Sequence, residues 1–274
     1  MLDNLSISKR IWGGYATMVL LLVGIASFGY YAVSNLGQSL REYRQTSAQT
    51  VLANEYIEDL FQARIGSLKF RVNQSDASSA EVHENIAGIT NDERLQETFE
   101  NSPELKSEIL ALKGDAGSYA EAFGRLVEFQ RQIERLNEQL AEVGLSTRMM
   151  LTEIMETAFA DGDIEAAFYA GVAQQELMLG RLYMERFLRD NDPASFALVG
   201  QYLSSTADQM TILLDNLENP QRRNLANNVI SNEILFLELA ADVQTAITRR
   251  NAITDNELDR IGPDVQARFE NVID

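Results

Sequence analysis

Four residues could do chemistry by their type and spacing: Arg64, Arg181, Arg250 and Thr254. Arg64 shares a helical line with Ile57, Phe61 and Leu68. Arg181 has Leu177 and Met178 one turn before it and Met184 and Leu188 after it. Arg250 continues the heptad line Val229, Phe236, Val243. Thr254 continues a second line, Ala240 and Ile247, and lies one turn from Arg250 on the same face. A guanidinium on an apolar face is costly to desolvate unless it is paired. Its planar fork suits a carboxylate. One reading is therefore a pocket between helices that takes a small organic anion. Two others stay open: internal ion pairs, since 41 acidic residues offer partners, and rim positions from which long side chains snorkel to water.

Other chemistries have little to work with. The chain of 274 residues has no cysteine, which excludes disulfides, thiolate metal sites and cysteine nucleophiles. Its single histidine, His83, excludes multi-histidine metal sites and reads as a solvated surface residue. Arg222 and Arg223 read as an exposed face, and Met149, Met150, Met155, Met178, Met184 and Met210 as core filler. Glycine-rich phosphate loops, paired-carboxylate motifs and nucleophile motifs are absent from the sequence. No metal or cofactor is expected, and an enzyme is the least favoured class. The net charge of −18 argues against a nucleic-acid partner.

The elements that must position the arginines are helices. Ile11 to Val33 is an apolar run of 23 residues. It rises ~35 Å as a helix, enough to span a bilayer, and is too long for the apolar region of a signal peptide. Trp12, Tyr15, Tyr30 and Tyr31 stand near its ends, where amphipathic aromatics prefer the interface. Residues 1–10 are expected in the cytoplasm, 11–33 in the inner membrane and 34–274 in the periplasm. Lys9 and Arg10 against Asp3 give residues 1–33 a net +1, leaving −19 on the remainder.

Beyond the membrane segment no strand pattern competes. The expected fold is all-α: an N-terminal transmembrane helix, then a six-helix ectodomain whose first helix continues it to about Arg71. The others run about 77–100, 103–158, 164–190, 193–217 and 220–260. Pro103, Pro193, Pro220 and Pro263 all read as helix starts, the first three behind the cap formers Ser102, Asp192 and Asn219. In the third helix Leu105, Leu112, Tyr119, Leu126, Ile133 and Leu140 recur every seven residues. A companion line, Ile109, Ala116, Phe123, reaches polar Gln130 and resumes one position earlier at Leu136 and Val143. That phase shift means the buried face rotates and meets new partners.

A repeat points the same way. Residues 58–82 and 175–199 match at an offset of 117, with Leu60/Leu177, Arg64/Arg181, Phe70/Phe187, Ala77/Ala194, Ser78/Ser195, Ala80/Ala197 and Val82/Val199 identical. Asn137-Glu-Gln-Leu-Ala-Glu-Val-Gly144 resembles Asp255-Asn-Glu-Leu-Asp-Arg-Ile-Gly262 more loosely. The ectodomain reads as two related three-helix units. Short connections between antiparallel neighbours then give two stacked four-helix bundles. The membrane-proximal module is expected over about 34–130 plus 241–274, and the distal one over about 131–240.

The sequence resembles the helical bimodular sensor domain of bacterial transmembrane chemoreceptors, the methyl-accepting chemotaxis proteins. The likeness covers essentially the whole chain. It includes the opening LSISKRIWGGYATMVLLLVGIASFGYYAV, and ARIGSLKFRVN and RNAITDNELDRIGPDV are its most specific pieces. The resemblance implies two ligand-binding modules, with tricarboxylic-acid-cycle intermediates in the near one and short acids in the far one. By position, Arg64, Arg250 and Thr254 match the near-module anion contacts, and Arg181 the far-module one. Where dicarboxylate binders can carry another arginine, one turn after Arg64, this chain has Ser67.

The expectation is thus the organic-acid-sensing region of a longer chemoreceptor that signals across the membrane. Its expected partners are a small carboxylate, the membrane, a second copy in a homodimer and, as in some members, a periplasmic binding protein. The alternatives are the input domain of a sensor histidine kinase and, from another class, a membrane-anchored helical structural protein whose arginines are merely ion-paired.

Overall fold

Apolar residues at helical spacing, uninterrupted by proline over long stretches, leave a chain little choice but long helices that must bury their stripes against one another. The computed structural model describes residues 7–273. Residues 1–6, most of the expected cytoplasmic N-terminus, and Asp274 lie outside the described residues. In chain order the helices are α1 (Ile7–Asn73), α2 (Asp76–Thr90), the short α3 (Arg94–Thr98), α4 (Pro103–Ala160), α5 (Ile164–Asp190), α6 (Pro193–Asn216) and α7 (Pro220–Ile253). A π turn, Thr254–Leu258, then joins α7 to α8 (Asp259–Ile273), so the last three segments form one continuous helical run. The described residues contain no strand. By length and composition α1 is long and apolar enough to cross a membrane, with a mean hydropathy of 1.9 in a window that packs against nothing else in the chain.

Two hydrophobic cores form. The first gathers Leu52, Tyr56 and Leu60 of α1, Val82 and Ile86 of α2, Leu112 and Phe123 of α4, and Val265 and Phe269 of α8. The second gathers Leu140, Leu151 and Ile154 of α4, Leu177 and Phe187 of α5, Leu203 and Met210 of α6, and Val229 and Phe236 of α7. Helix α4 leaves the first core after Val127 and enters the second at Ile133, with Phe129 packed against both. Helix α7 belongs to the second core as far as Ile247, and Ile253 belongs to the first.

The repeat extends well beyond its identities. Gln74 and Asn191 both adopt left-handed backbone, at φ 52° and 53°, at the same offset of 117. The residues after them, Ser75 and Asp192, cap α2 and α6 with their side chains. Pro103 and Pro220 open α4 and α7 at that offset as well. Buried positions then coincide: Ile109/Ala226, Leu112/Val229, Tyr119/Phe236, Leu126/Val243. From Leu140/Leu258 through Gly144/Gly262 to Leu151/Phe269 the offset is 118. The second copy therefore holds one extra residue, and the π turn at Thr254–Leu258 accommodates it by widening one turn of helix.

Five expectations are corrected. The segment read as one helix over 77–100 breaks at Asn91, because Asp92 accepts from the Arg94 amide and starts α3, whose Leu95 is buried in the first core. Pro263 does not start a helix; it lies inside α8, in the first turns after the π segment. Ser102 precedes Pro103 without a side-chain cap bond; it instead accepts from Gln49 Nε2 at 3.0 Å. Met149 and Met178 are exposed, whereas Met184 and Met210 are core residues. Arg222 is buried and ion-paired with Asp161 and Asp163, joining the start of α7 to the α4–α5 turn.

Candidate functional site

Where the two cores meet, helix ends from both copies of the repeat surround a cavity of about 230 Å³. The α1–α2 connection contributes Phe70, Arg71 and Gln74. The α5–α6 connection contributes Leu188, Arg189 and Asn191. Leu126 and Gln130 of α4, Arg250 and Asn251 of α7, and Thr254 at the start of the π turn complete the wall. Three apolar side chains thus face a ring of amides and guanidinium groups.

Arg250 is half-buried and is held by oxygen atoms that carry no net charge. Its Nη1 donates to Gln130 Oε1 at 2.8 Å and its Nη2 to Asn191 Oδ1 at 3.3 Å. Nε and Nη2 both donate to Asn251 Oδ1, at 3.2 and 3.0 Å. Among the described residues no carboxylate pairs with it, and burial holds its pKa below the usual arginine value. Gln130 is itself buried and donates to Glu134, which fixes which end of its amide meets Arg250. The polar gap in the apolar line of α4 thus has a structural purpose. Thr254 Oγ1 donates back to the Arg250 carbonyl at 3.2 Å.

The other two arginines of the wall have counter-ions. Arg71 grips Asp259 at the start of α8 through both terminal nitrogens, at 2.5 and 3.4 Å. Its Nε is buried without a hydrogen-bond partner. Arg189 is paired with its neighbour Asp190, with Nε to Oδ1 at 2.8 Å.

Arg64 lies elsewhere. It lines a second cleft of about 210 Å³ with Leu68, Arg71, Tyr119, Leu258, Asp259 and Pro263. Its Nη1 donates to Gln266 Oε1. Phe61 and Leu68, which share its helical line, are exposed, so Arg64 stands at the edge of the first core rather than inside it. Arg71 lines both this cleft and the junction cavity, and the Arg71–Asp259 ion pair stands beside both. Arg181 lines only a narrow cleft of about 10 Å³ with Asn137, Leu140, Ala141, Met184, Glu185 and Phe236.

Arg64 and Arg181 share one local device. A Cβ on Gly262 would come within 3.2 Å of Arg64 Nε, and one on Gly144 within 2.7 Å of Arg181 Nε. Each arginine lies across a glycine of the neighbouring helix, and both pairs recur with the repeat. His83 is exposed, edge-on to Phe123 at 5.8 Å between ring centroids.

The structure brings Arg250 and Thr254 together, places Arg64 in the adjoining cleft and leaves Arg181 apart. Sequence reasoning missed Arg71, Gln74, Gln130, Asn191, Asn251 and Asp259. Two of these left a trace: Gln130 as the interruption of an apolar line, and Arg71 as an arginine two turns after Arg64. No protein-family model and no curated protein matches the chain.

Proposed function

We propose that the chain is the ligand-sensing region of a transmembrane chemoreceptor. In this reading it binds a small organic acid at the junction cavity and passes a conformational signal along α1 and α8. The observation that carries it is Arg250: a half-buried guanidinium facing a cavity, held by amide oxygens and by no carboxylate. Such a charge is stabilised further by an anion, and its fork favours a carboxylate. The alternative in which Arg64, Arg181 and Arg250 are internal ion pairs has no support, since none of the three meets a carboxylate among the described residues, and of the three only Arg250 lines the junction cavity.

The two cores and the repeat support an arrangement of two stacked four-helix modules. The first core, reached directly by the apolar α1, is the membrane-proximal one and the second is distal. The receptor sits in the inner membrane as a homodimer, its ectodomain in the periplasm. Because α1 and the α7–α8 run both bound the cavity, a ligand that favours one packing of these helices over another shifts one against the other.

The test is a thermal-shift screen of small organic acids on the full chain in lipid nanodiscs. At least one acid is expected to raise the melting temperature of the wild type and not of Arg250→Ala. If no acid shifts the wild type, or if both proteins shift equally, this reading fails.

A further inference from the structure

The junction cavity holds three guanidinium groups, yet two are neutralised within the protein. Arg71 is paired with Asp259 and Arg189 with Asp190. Neither Asp nor Glu is among the residues lining the cavity, so its walls offer one uncompensated positive charge, on Arg250. Accepting that the cavity binds an organic acid, we propose that Asp259 sets the valence of that acid: by occupying Arg71 it restricts the ligand to a monocarboxylate without an ammonium group.

The argument is one of charge balance in a partly desolvated space. The carboxylate of a monoanion pairs with Arg250 through the N–H left on Nη1, or by displacing one of its neutral amide oxygens. A second carboxylate would find at Arg71 only the unpartnered Nε, since Asp259 holds both terminal nitrogens, or would lie unpaired against Phe70, Leu126 and Leu188. The first sets two carboxylates against one guanidinium, and the second leaves a charge without a partner on apolar walls. The net charge of −18 on the whole chain disfavours a dianion further. An amino acid meets the opposite difficulty, since its ammonium would find no carboxylate in the wall. Polar groups beside the carboxylate are welcome, because Asn191 and Asn251, whose oxygens accept from Arg250, can offer their Nδ2 donors, and Gln74 can present either end of its amide. The chemical class that follows is a short 2-hydroxy- or 2-oxo-monocarboxylate, with its apolar end on Phe70, Leu126 and Leu188.

A matched pair of four-carbon acids, 2-hydroxybutyrate and malate, isolates the second charge. Titration calorimetry on the full chain in nanodiscs of neutral lipid is expected to give at least ~10-fold tighter binding of 2-hydroxybutyrate. Asp259→Asn frees Arg71 at nearly constant shape and should shift the ratio by ~10-fold or more toward malate. Asn191→Asp places a carboxylate beside Arg250, keeps a residue that tolerates left-handed backbone, and should abolish 2-hydroxybutyrate binding while raising the melting temperature. Malate binding the wild type as tightly as 2-hydroxybutyrate, with Arg250→Ala removing both, would overturn the valence proposal and leave the acid-binding reading intact. So would an unchanged ratio in Asp259→Asn or, should that variant not fold, unchanged binding in Asn191→Asp. A wild type that responds to no mono-, di- or tricarboxylate in the thermal-shift screen defeats the acid-binding reading itself.

Discussion

The clefts at Arg64 and Arg181 are the same place in two copies of one repeat, and they differ about twenty-fold in volume, at about 210 and 10 Å³. Besides the arginines, four wall positions correspond: Leu68 with Glu185, Tyr119 with Phe236, Leu258 with Leu140, Asp259 with Ala141. In both, the arginine lies across a glycine, Gly262 or Gly144. What differs is the filling. Met184, a core residue that lines the narrow cleft, stands where the first copy has the much smaller Ser67. Leu188 stands where the first copy has Arg71, and Ala141 where it has Asp259, so the second copy has no counterpart of that ion pair. The repeat transmits backbone geometry and helix packing, whereas the volume and charge of a cleft depend on a few side chains that the repeat does not conserve.

The comparison can be broken first at Arg250, whose repeat partner is the buried Ile133. Arg250→Ile should abolish every acid-dependent rise in melting temperature, and Arg181→Ala none of it. A response lost with Arg181 and kept without Arg250 would move the site to the other cleft.

Met184→Ala sharpens the account of volume. Truncating this core side chain should cost about 3 kcal/mol and lower the melting temperature by roughly 8 °C. An unchanged melting curve would mean that Met184 is not what closes the second cleft.

Glu233 offers a third contrast, because its repeat partner is the buried Ala116. Both Glu233 carboxylate oxygens are buried without a hydrogen-bond partner, and burial raises the pKa to about 7. A raised carboxyl pKa means that the folded state holds a proton which the unfolded state releases. Stability contributed by the neutral acid is thus complete below pH ~4.5 and is lost as pH rises toward ~7. Glu233→Gln should remove that slope and stabilise the protein at pH 8 by roughly 2 kcal/mol. Chemical denaturation across pH measures both, and parallel profiles for wild type and variant would sink the assignment.

The smallest effect distinguishes the two glycines. In Gly144→Ala the three atoms nearest the new methyl all belong to the flexible Arg181 side chain, which can swing away at the cost of its long bond to the Gly144 carbonyl, so stability should stay within ~1 kcal/mol of wild type. In Gly262→Ala it also meets the Tyr119 ring at 3.2 Å, which is buried and cannot yield as easily. That variant should be the less stable of the two in the same denaturation assay.

Much of the fold could be read in advance because it follows from local rules. Proline at Pro103, Pro193 and Pro220 fixes three helix starts, and Asp192 and Asn219 cap two of them as their side chains allow. The heptads of α4, and the change of phase near Gln130, mark where that helix passes from one core to the next. Pro263 reads as a helix start although proline is also tolerated inside a helix where a neighbouring turn is already irregular; the change of offset from 117 to 118 gives away a one-residue insertion, but not that a π turn absorbs it. Arg222 was misread because its partners, Asp161 and Asp163, lie some 60 residues away in the chain.

The sequence by itself determined a chain of long helices, one of them long and apolar enough to cross a membrane, and an internal duplication carrying arginines at fixed places. These depend on spacing within single helices and on the hydropathy of contiguous residues. Only the tertiary structure decided which arginines keep an uncompensated charge. Spacing marks Arg250 and passes over Arg71, but it says nothing of pairing: Asp259 reaches Arg71 across 188 residues, while Gln130 and Asn191 bring Arg250 nothing but amide oxygens. Pairing is a matter of a few ångströms between distant segments, and that distance exists only once the helices have packed.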